Sequence, residues 1–332
     1  MFVAKTTVMN KIRITVFADP VCTWCWGSVP VLRALKYRYG EQLEISYVMG
    51  VMIENIETFQ SRGLSIGGDI AVSNRNIHEN WIDSSAVHGM PVCEKNYPIF
   101  SKERKSTRPQ NRAYITARFY LQKCEGSLPS DAHLRYLRRL QEATAVDAVL
   151  TNDVDILADL SATVGFEPAK FRELYDCDAV TEMLKEDIGH CRSYEVSRFP
   201  SFILSYKNEE MMLRGYSTYD LLHKCIEQLS YDNIKPLNDG SELFTPENVR
   251  RFIATCGTAY PVEVATAFGL PRHSGHSALN AESYTGLPDV MTELVESGQV
   301  AMAPKGNGFI YYTLKENACF DIHSREMAVE QG

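Results

Sequence analysis

The sequence predicts an α/β protein: a strand–helix–strand half and a strand–strand–helix half, separated by a large helical insertion and followed by a small α+β module. Three observations carry this. Apolar, β-branched runs bracket an amphipathic stretch between residues 12 and 50. Strand signals return at 201–216 ahead of a second amphipathic stretch, and about 58–195 between them reads as helices.

The elements can be taken in chain order. Residues 12–18, IRITVFA, form a buried-strand run that Asp19 and Pro20 break. From about Cys25, Val29, Leu32, Leu35 and Tyr39 recur at helical spacing, and Gly40 ends the run. LEISYVMG then alternates as a strand. Strand, helix and strand at this spacing make a βαβ unit, so its two strands should be parallel. After the Gly-rich RGLSIGGD, helices are expected over RPQNRAYITARFYLQKC, DAHLRYLRRLQEA, DVDILADLSATVG and, as one stretch, PAKFRELYDCDAVTEMLKEDIGHCRSY. SFILSY and MMLRGY flank the polar KNEE and predict an antiparallel hairpin. STYDLLHKCIEQLS is the helix behind it, capped by Ser217 or Thr218.

Residues 231–242, YDNIKPLNDGSE, read as a linker. Three short helical patterns come next, TPENVRRFIATCG, PVEVATAFG and LPDVMTELVESGQ, then VAMAPKGNGFIYYTL as a hairpin over a Lys-Gly-Asn-Gly turn. Three helices and a β-ribbon suggest a winged-helix-like module at 243–316, with 317–332 as a tail. No internal repeat or low-complexity tract interrupts the chain.

Composition narrows the class. With 332 residues and 45% apolar side chains the chain can bury a sizeable core. A net charge of −8 argues against general binding to nucleic acid or anionic membranes. No run approaches the roughly 18 apolar residues of a membrane span, and MFVAKTTVMNKIRITVFADP lacks a signal-peptide core, so a cytoplasmic location is expected. The nine cysteines, at 22, 25, 93, 124, 177, 191, 225, 256 and 319, are scattered apart from the first two. Most are read as reduced, buried thiols rather than a disulfide framework.

Cys22 and Cys25 are the exception, and could be a redox dithiol, half of a zinc site or two inert thiols. A thiolate is the nucleophile in disulfide exchange. Free N–H groups at the start of the predicted helix favour an anion on Cys22. Cys25, one turn later, is placed to attack a mixed disulfide on Cys22. A strand–turn–helix bearing CxxC points to a thioredoxin-like redox site. Tetrahedral zinc needs two further ligands, and no second CxxC or HxxxH exists; Cys191 beside His190 reads as a helix-end pair. No metal and no cofactor is therefore expected. VSRFPSFIL places Pro200 just ahead of a strand. A cis bond there would face the CxxC and leave the Phe199 backbone free to pair with an extended substrate. A trans proline at a strand start is the plainer alternative.

The stretches DPVCTWCWG, LEISYVMG, STRPQNRAYITAR and SRFPSFIL resemble the DsbA-like thioredoxin superfamily, and within it the FrnE-like group, over about residues 10–230. The resemblance implies a thioredoxin fold with a helical insertion (about 58–195) and thiol–disulfide oxidoreductase or isomerase activity. It makes Cys22 the nucleophile, Cys25 the resolving thiol and Pro200 the cis-proline. The inter-cysteine pair is Thr23-Trp24, where periplasmic DsbA has Pro-His and FrnE-like proteins often Pro-Trp. The bulky Trp24 could shield the disulfide or touch substrate, and Trp26 and Phe199 are read with it as substrate contacts. Arg108 and Arg112 in STRPQNRAY could face the dithiol and hold thiolate or an acidic substrate; helix capping and surface charge are the plainer reading. His78 and His88 read as satisfied polar residues rather than proton donors.

Two charge patterns bear on partners. Segment 101–140 holds ten Lys/Arg against three Asp/Glu, either a solvated helix face or a surface for acidic partners. Residues 233–332 hold seven Lys/Arg and twelve Asp/Glu, and Pro288–Ser297, the helix that would enter a DNA groove, has three acidic residues and no basic one. Phosphate contact needs the opposite, so protein contact or homodimerisation is the expected role of the module. The leading functional reading is a cytoplasmic dithiol enzyme acting on protein or small-molecule disulfides, with its reductant unassigned and glutathione or a thioredoxin system as the candidates. A redox-responsive adaptor that binds a client without turnover is the alternative. A glutathione-dependent isomerase or kappa-class transferase ranks last, because those usually present a single Ser or Cys.

Overall fold

The computed structural model describes residues 11–314, apart from Arg62, Glu125, Ser127, Asp239 and Ser274; the expected tail, with Cys319, lies outside the described residues. At its centre β1 (Ile12–Ala18) pairs in parallel with β2 (Leu43–Met49), from Ile12↔Leu43 to Ala18↔Met49. It also pairs antiparallel with β3 (Ser201–Tyr206), which forms a hairpin with β4 (Glu209–Arg214), giving the order β2-β1-β3-β4. The central strands are apolar on both faces because both are covered. Ile12, Ile14 and Val16 enter the main core, whereas Phe17 joins Val48, Ile203 and Cys191 on the opposite face. This is the thioredoxin-like sheet, with its two halves separated by the helical insertion.

The helix after β1 is broken where one run was expected. α1 (Thr23–Gly27) stops at Ser28, and α2 (Val29–Tyr39) starts again. Pro30 has no N–H to continue the ladder, and the Ser28 hydroxyl donates to the Trp24 carbonyl at 2.8 Å. The insertion comprises α3 (Ile70–His88), α4 (Arg108–Lys123), α5 (Ala132–Ala145), α6 (Val154–Ala162), α7 (Pro168–Tyr175) and α8 (Asp178–Ser193). The last two were expected as one helix. Cys177 between them is extended (φ −67°, ψ 140°), and Arg112 draws off the carbonyls of Tyr175 and Cys177 that a continuous helix would need. α9 (Tyr219–Ser230) is capped by Thr218, which accepts from Leu221 N.

The C-terminal part is winged-helix-like: α10 (Pro246–Cys256), β5 (Thr258–Ala259), α11 (Pro261–Phe268), α12 (Leu287–Glu296) and the ribbon β6 (Val300–Lys305)–β7 (Gly308–Thr313), with strand order β5-β7-β6. It packs directly on the thioredoxin-like half, with α11 lying along α2. One apolar core contains Trp26, Ala34, Trp81 and Met90 together with Phe252, Tyr260, Val264, Phe268 and Tyr311. Glu263 of α11, fully buried, binds Arg33 of α2 at 2.9 Å and Arg138 of α5 at 3.0 Å. The ribbon turn docks as well: Asn307 N donates to the Val92 carbonyl at 2.9 Å, and Val92 N donates back to Asn307 Oδ1 at 2.8 Å. The stretch expected as a linker is strapped down too. Ile234 is buried in the main core, and Leu237 N donates to the Arg38 carbonyl at 2.7 Å.

Candidate active site

β1 delivers the dithiol through a turn built on Asp19, which is wholly buried. One carboxylate oxygen accepts from Val21 N at 2.8 Å and so shapes the turn. The other accepts from Met52 N at 2.8 Å, Thr107 Oγ1 at 2.6 Å and Asn111 Nδ2 at 2.8 Å. A single side chain thereby joins the end of β1, the loop after β2 and the start of α4. Burial raises the Asp19 pKa, and the bonds from Thr107, Met52, Asn111 and Val21 pull it the other way.

Cys22 is the N-cap residue of α1, in extended conformation (φ −74°, ψ 119°), and Cys25 follows one turn later. Both thiols are free, and each residue is only 5% exposed. Burial, and then the Cys22 sulfur beside it, hold the Cys25 thiol well above the usual cysteine pKa. The Cys22 thiol donates to the Phe199 carbonyl at 3.5 Å. The Phe199–Pro200 peptide is cis, and Gly215 N donates to the Pro200 carbonyl at 2.9 Å. The Phe199 ring lies over Gly50, where a Cβ would come within 2.1 Å of its Cζ. That glycine permits the close approach.

Trp24, half-buried, is held between two rings, His88 at 5.6 Å and Tyr216 at 5.4 Å. His88 Nδ1 accepts from Met90 N at 3.1 Å, so Nε2 carries the hydrogen and donates to Thr23 Oγ1 at 3.3 Å. Burial pushes its pKa down to about 3. Gly27 makes room for it: a Cβ there would meet the His88 ring at 2.4 Å. His78, half-buried on the same helix, lies ~15 Å away at 1.5 Å per residue.

Three of the residues expected as substrate contacts are placed otherwise. Trp26 is 1% exposed; its indole N–H donates to the Pro91 carbonyl at 2.8 Å and its ring meets Tyr260 edge-on, so it is a core residue. Arg112 is consumed inside the insertion, with Nε donating to the Tyr175 carbonyl at 2.6 Å and NH1 to Thr181 Oγ1 at 2.8 Å. Arg108 is paired on the surface with Glu54, its Nε 3.1 Å from Oε2. The STRPQNRAY stretch does reach the dithiol turn, but through Thr107 and Asn111. Sequence reasoning missed those two, Asp19 and Tyr216. The Asp-Pro ahead of the CxxC carried a signal as a buried acid, whereas nothing local marks Tyr216. Among the described residues no group of three His, Cys, Asp or Glu is arranged to hold a metal ion. Among them, too, no helix is long and apolar enough to cross a membrane.

Comparison with known proteins agrees with this architecture. The family described as Thioredoxin matches residues 15–224, more than half of the chain. The ClpXP adapter protein SpxH of Halalkalibacterium halodurans is 23% identical over 271 residues, spanning 80% of this chain and 81% of that protein. SpxH of Bacillus subtilis is 21% identical over 230 residues, 68% and 70% of the two chains. Among solved structures, a provisionally named protein disulfide isomerase of Nitrosomonas europaea superposes with a TM-score of 0.54 at 18% identity, covering 67% of this chain and 99% of that one. The cytosolic disulfide reductase DsbM of Pseudomonas aeruginosa gives 0.50 at 16% identity, over 66% and 99%. At these identities the structural likeness concerns the fold.

Proposed function

Since the chain belongs to the thioredoxin family, we propose that it is a cytoplasmic thiol–disulfide oxidoreductase or isomerase of the DsbA-like kind, acting on disulfides of client proteins. One observation carries the reading: the Cys22 sulfur stands at the start of α1, 3.5 Å from the carbonyl of Phe199, with Cys25 one turn behind it. The Cys22 thiolate attacks one sulfur of a client disulfide. The client's other sulfur leaves as a thiolate and takes up a proton. Cys25 keeps its own proton meanwhile, because its thiol is harder to ionise. On losing that proton it attacks the Cys22 sulfur, closes the Cys22–Cys25 disulfide and expels the second client thiolate. Two electrons pass from the protein to the client, and a thiol reductant restores the pair. Phe199 supplies the backbone against which an extended client strand would lie, and Trp24 overlooks the dithiol. Turnover of insulin disulfides, abolished in Cys22→Ser, is the expected result; equal turnover in Cys22→Ser would end the proposal.

A second reading, an adaptor that binds a client without turnover, is favoured by the SpxH relatives, whose alignment of 271 residues runs beyond the family match. It predicts client capture that persists in Cys22→Ser with no insulin turnover by the unmodified protein.

A further inference from the structure

β4 ends the four-stranded sheet, and among the described residues no strand lies beside its outer edge. Such an edge is a template for a further strand, and proteins usually close it. The other sheet edges of this chain are closed. β2 is covered by α8, where Asp187 accepts from Met49 N at 2.8 Å, and Arg118 of α4 donates to the Tyr47 carbonyl at 3.4 Å. In the C-terminal sheet β5 is two residues long, and β6 carries Pro304, which has no N–H. β4 has none of these devices. It holds no proline or lysine, and its register with β3 runs from Glu209 to Arg214 without a bulge. Its ends are exposed and its middle is half-buried.

The hairpin fixes which backbone groups face outward. Lys207 and Asn208 form a two-residue turn, so the flanking Tyr206 and Glu209 exchange hydrogen bonds with each other. By alternation Met211 and Leu213 also bond to β3, and Glu210, Met212 and Arg214 turn their N–H and C=O groups to the open edge. The side chains alternate too. Met212 packs beside Phe17, Val48 and Ile203, whereas Met211 and Leu213 join the main core on the other face. Glu210 and Arg214 share the Met212 face, at equal distances on either side of it. Both are exposed, and neither meets an opposite charge among the described residues. Glu210 accepts from Ser205 Oγ at 3.0 Å and Tyr194 OH at 3.3 Å, and Arg214 donates to the Tyr194 carbonyl at 3.4 Å. Glu209, the remaining charge on the strand, belongs to the opposite face, where it accepts from Tyr231 OH at 2.8 Å.

From this pattern we infer that β4 pairs antiparallel with β4 of a second copy of this chain, about a two-fold axis through Met212, joining the two sheets into one. A two-fold axis normal to the sheet keeps like faces together, so only residues of the same face stand opposite each other. Centred on Met212, Glu210 faces the partner's Arg214 and Arg214 faces the partner's Glu210. The same register brings the outward N–H and C=O groups together in about six hydrogen bonds. Centring on Glu210 or Arg214 opposes like charges, and centring on Met211 leaves both without an opposite charge. The strand is thus its own complement in charge and in hydrogen bonding, which selects a second copy as the occupant. The inference is independent of the redox reading. Sedimentation velocity of the full chain under reducing conditions, loaded at about 1 to 100 µM, should show a monomer–dimer equilibrium with a Kd on the order of 10 µM, as suits a small interface. Glu210→Arg and Arg214→Glu, each with Tm unchanged, should each weaken self-association about tenfold. Mixed together, these two variants oppose unlike charges again and should form a heterodimer as tight as the parent dimer. Single variants that dimerise like the parent, or a mixture no tighter than its components, would overturn the inference. So would a parent that stays monomeric throughout, which would leave the edge to a client strand.

Discussion

Glu263 should be the costliest charged side chain to remove. Its carboxylate is wholly buried and receives Arg33, Arg138 and the backbone N–H of Tyr260 at 2.9 Å. Arg33, with 19% of its side chain exposed, also donates to the carbonyls of Thr258 and Cys256, so it keeps partners when Glu263 is gone. Arg138 does not share that protection. Its guanidinium lies between the rings of Trp26 and Tyr260, at 5.2 and 5.5 Å, and one of its terminal nitrogens already lacks a partner among the described residues. Burial works against its charge, and Glu263 with Glu142 overcome that and raise its pKa. Stranding a buried charge costs about 3–5 kcal/mol, against a total of ~5–15 kcal/mol for a folded protein. Glu263→Ala should therefore lose about 4 kcal/mol in urea denaturation, in one transition, because three parts of the chain meet at this carboxylate. Glu263→Gln should lose roughly half as much, since it keeps an acceptor. The double variant Glu263→Met with Arg138→Met should recover much of the loss by leaving no stranded charge. A loss below about 1 kcal/mol in Glu263→Ala would refute the reasoning.

Other consequences are more local. His88 is near pKa 3 in the folded protein and near ~6.5 unfolded, so folding excludes its proton. Its contribution to stability is intact above ~6.5 and falls away by about 1.4 kcal/mol per pH unit below that, levelling off near 3. Between pH 7 and pH 5 the parent should lose about 2 kcal/mol more than His88→Gln, measured by denaturation at each pH. Gly50→Ala would push the Phe199 ring off its seat; KM for a protein disulfide should rise several-fold while a small disulfide is turned over as before. Gly27→Ala drives a methyl into the His88 ring and should cost about 1–3 kcal/mol, read as a lowered Tm.

The elements that local pattern alone can specify were legible in the sequence. The β1–α–β2 unit, the β3–β4 hairpin and the three C-terminal helices each carry their own periodicity, and Cys22, Cys25 and Pro200 are singled out by spacing and chemistry. What escaped depends on contacts far apart in the chain. Asp19 reads as a strand breaker until Thr107 and Asn111, some ninety residues away, are seen bonded to it. Trp26 differs from Trp24 only in the face it turns, and Tyr260, far downstream, decides that face. Arg112 looks like a free cation because its acceptors, the carbonyls of Tyr175 and Cys177, have no signature in sequence. The 231–242 stretch reads as a linker by composition, yet Ile234 is drawn into the core.

Dithiol chemistry at this site depends on an unequal pair of sulfurs. Treating the reduced protein with limiting iodoacetamide at neutral pH and mapping the adducts by mass spectrometry measures that inequality. Carboxamidomethylation should fall on Cys22 well ahead of Cys25 and faster than on free cysteine. Labelling of Cys25 at an equal rate, or of Cys22 no faster than free cysteine, would contradict it.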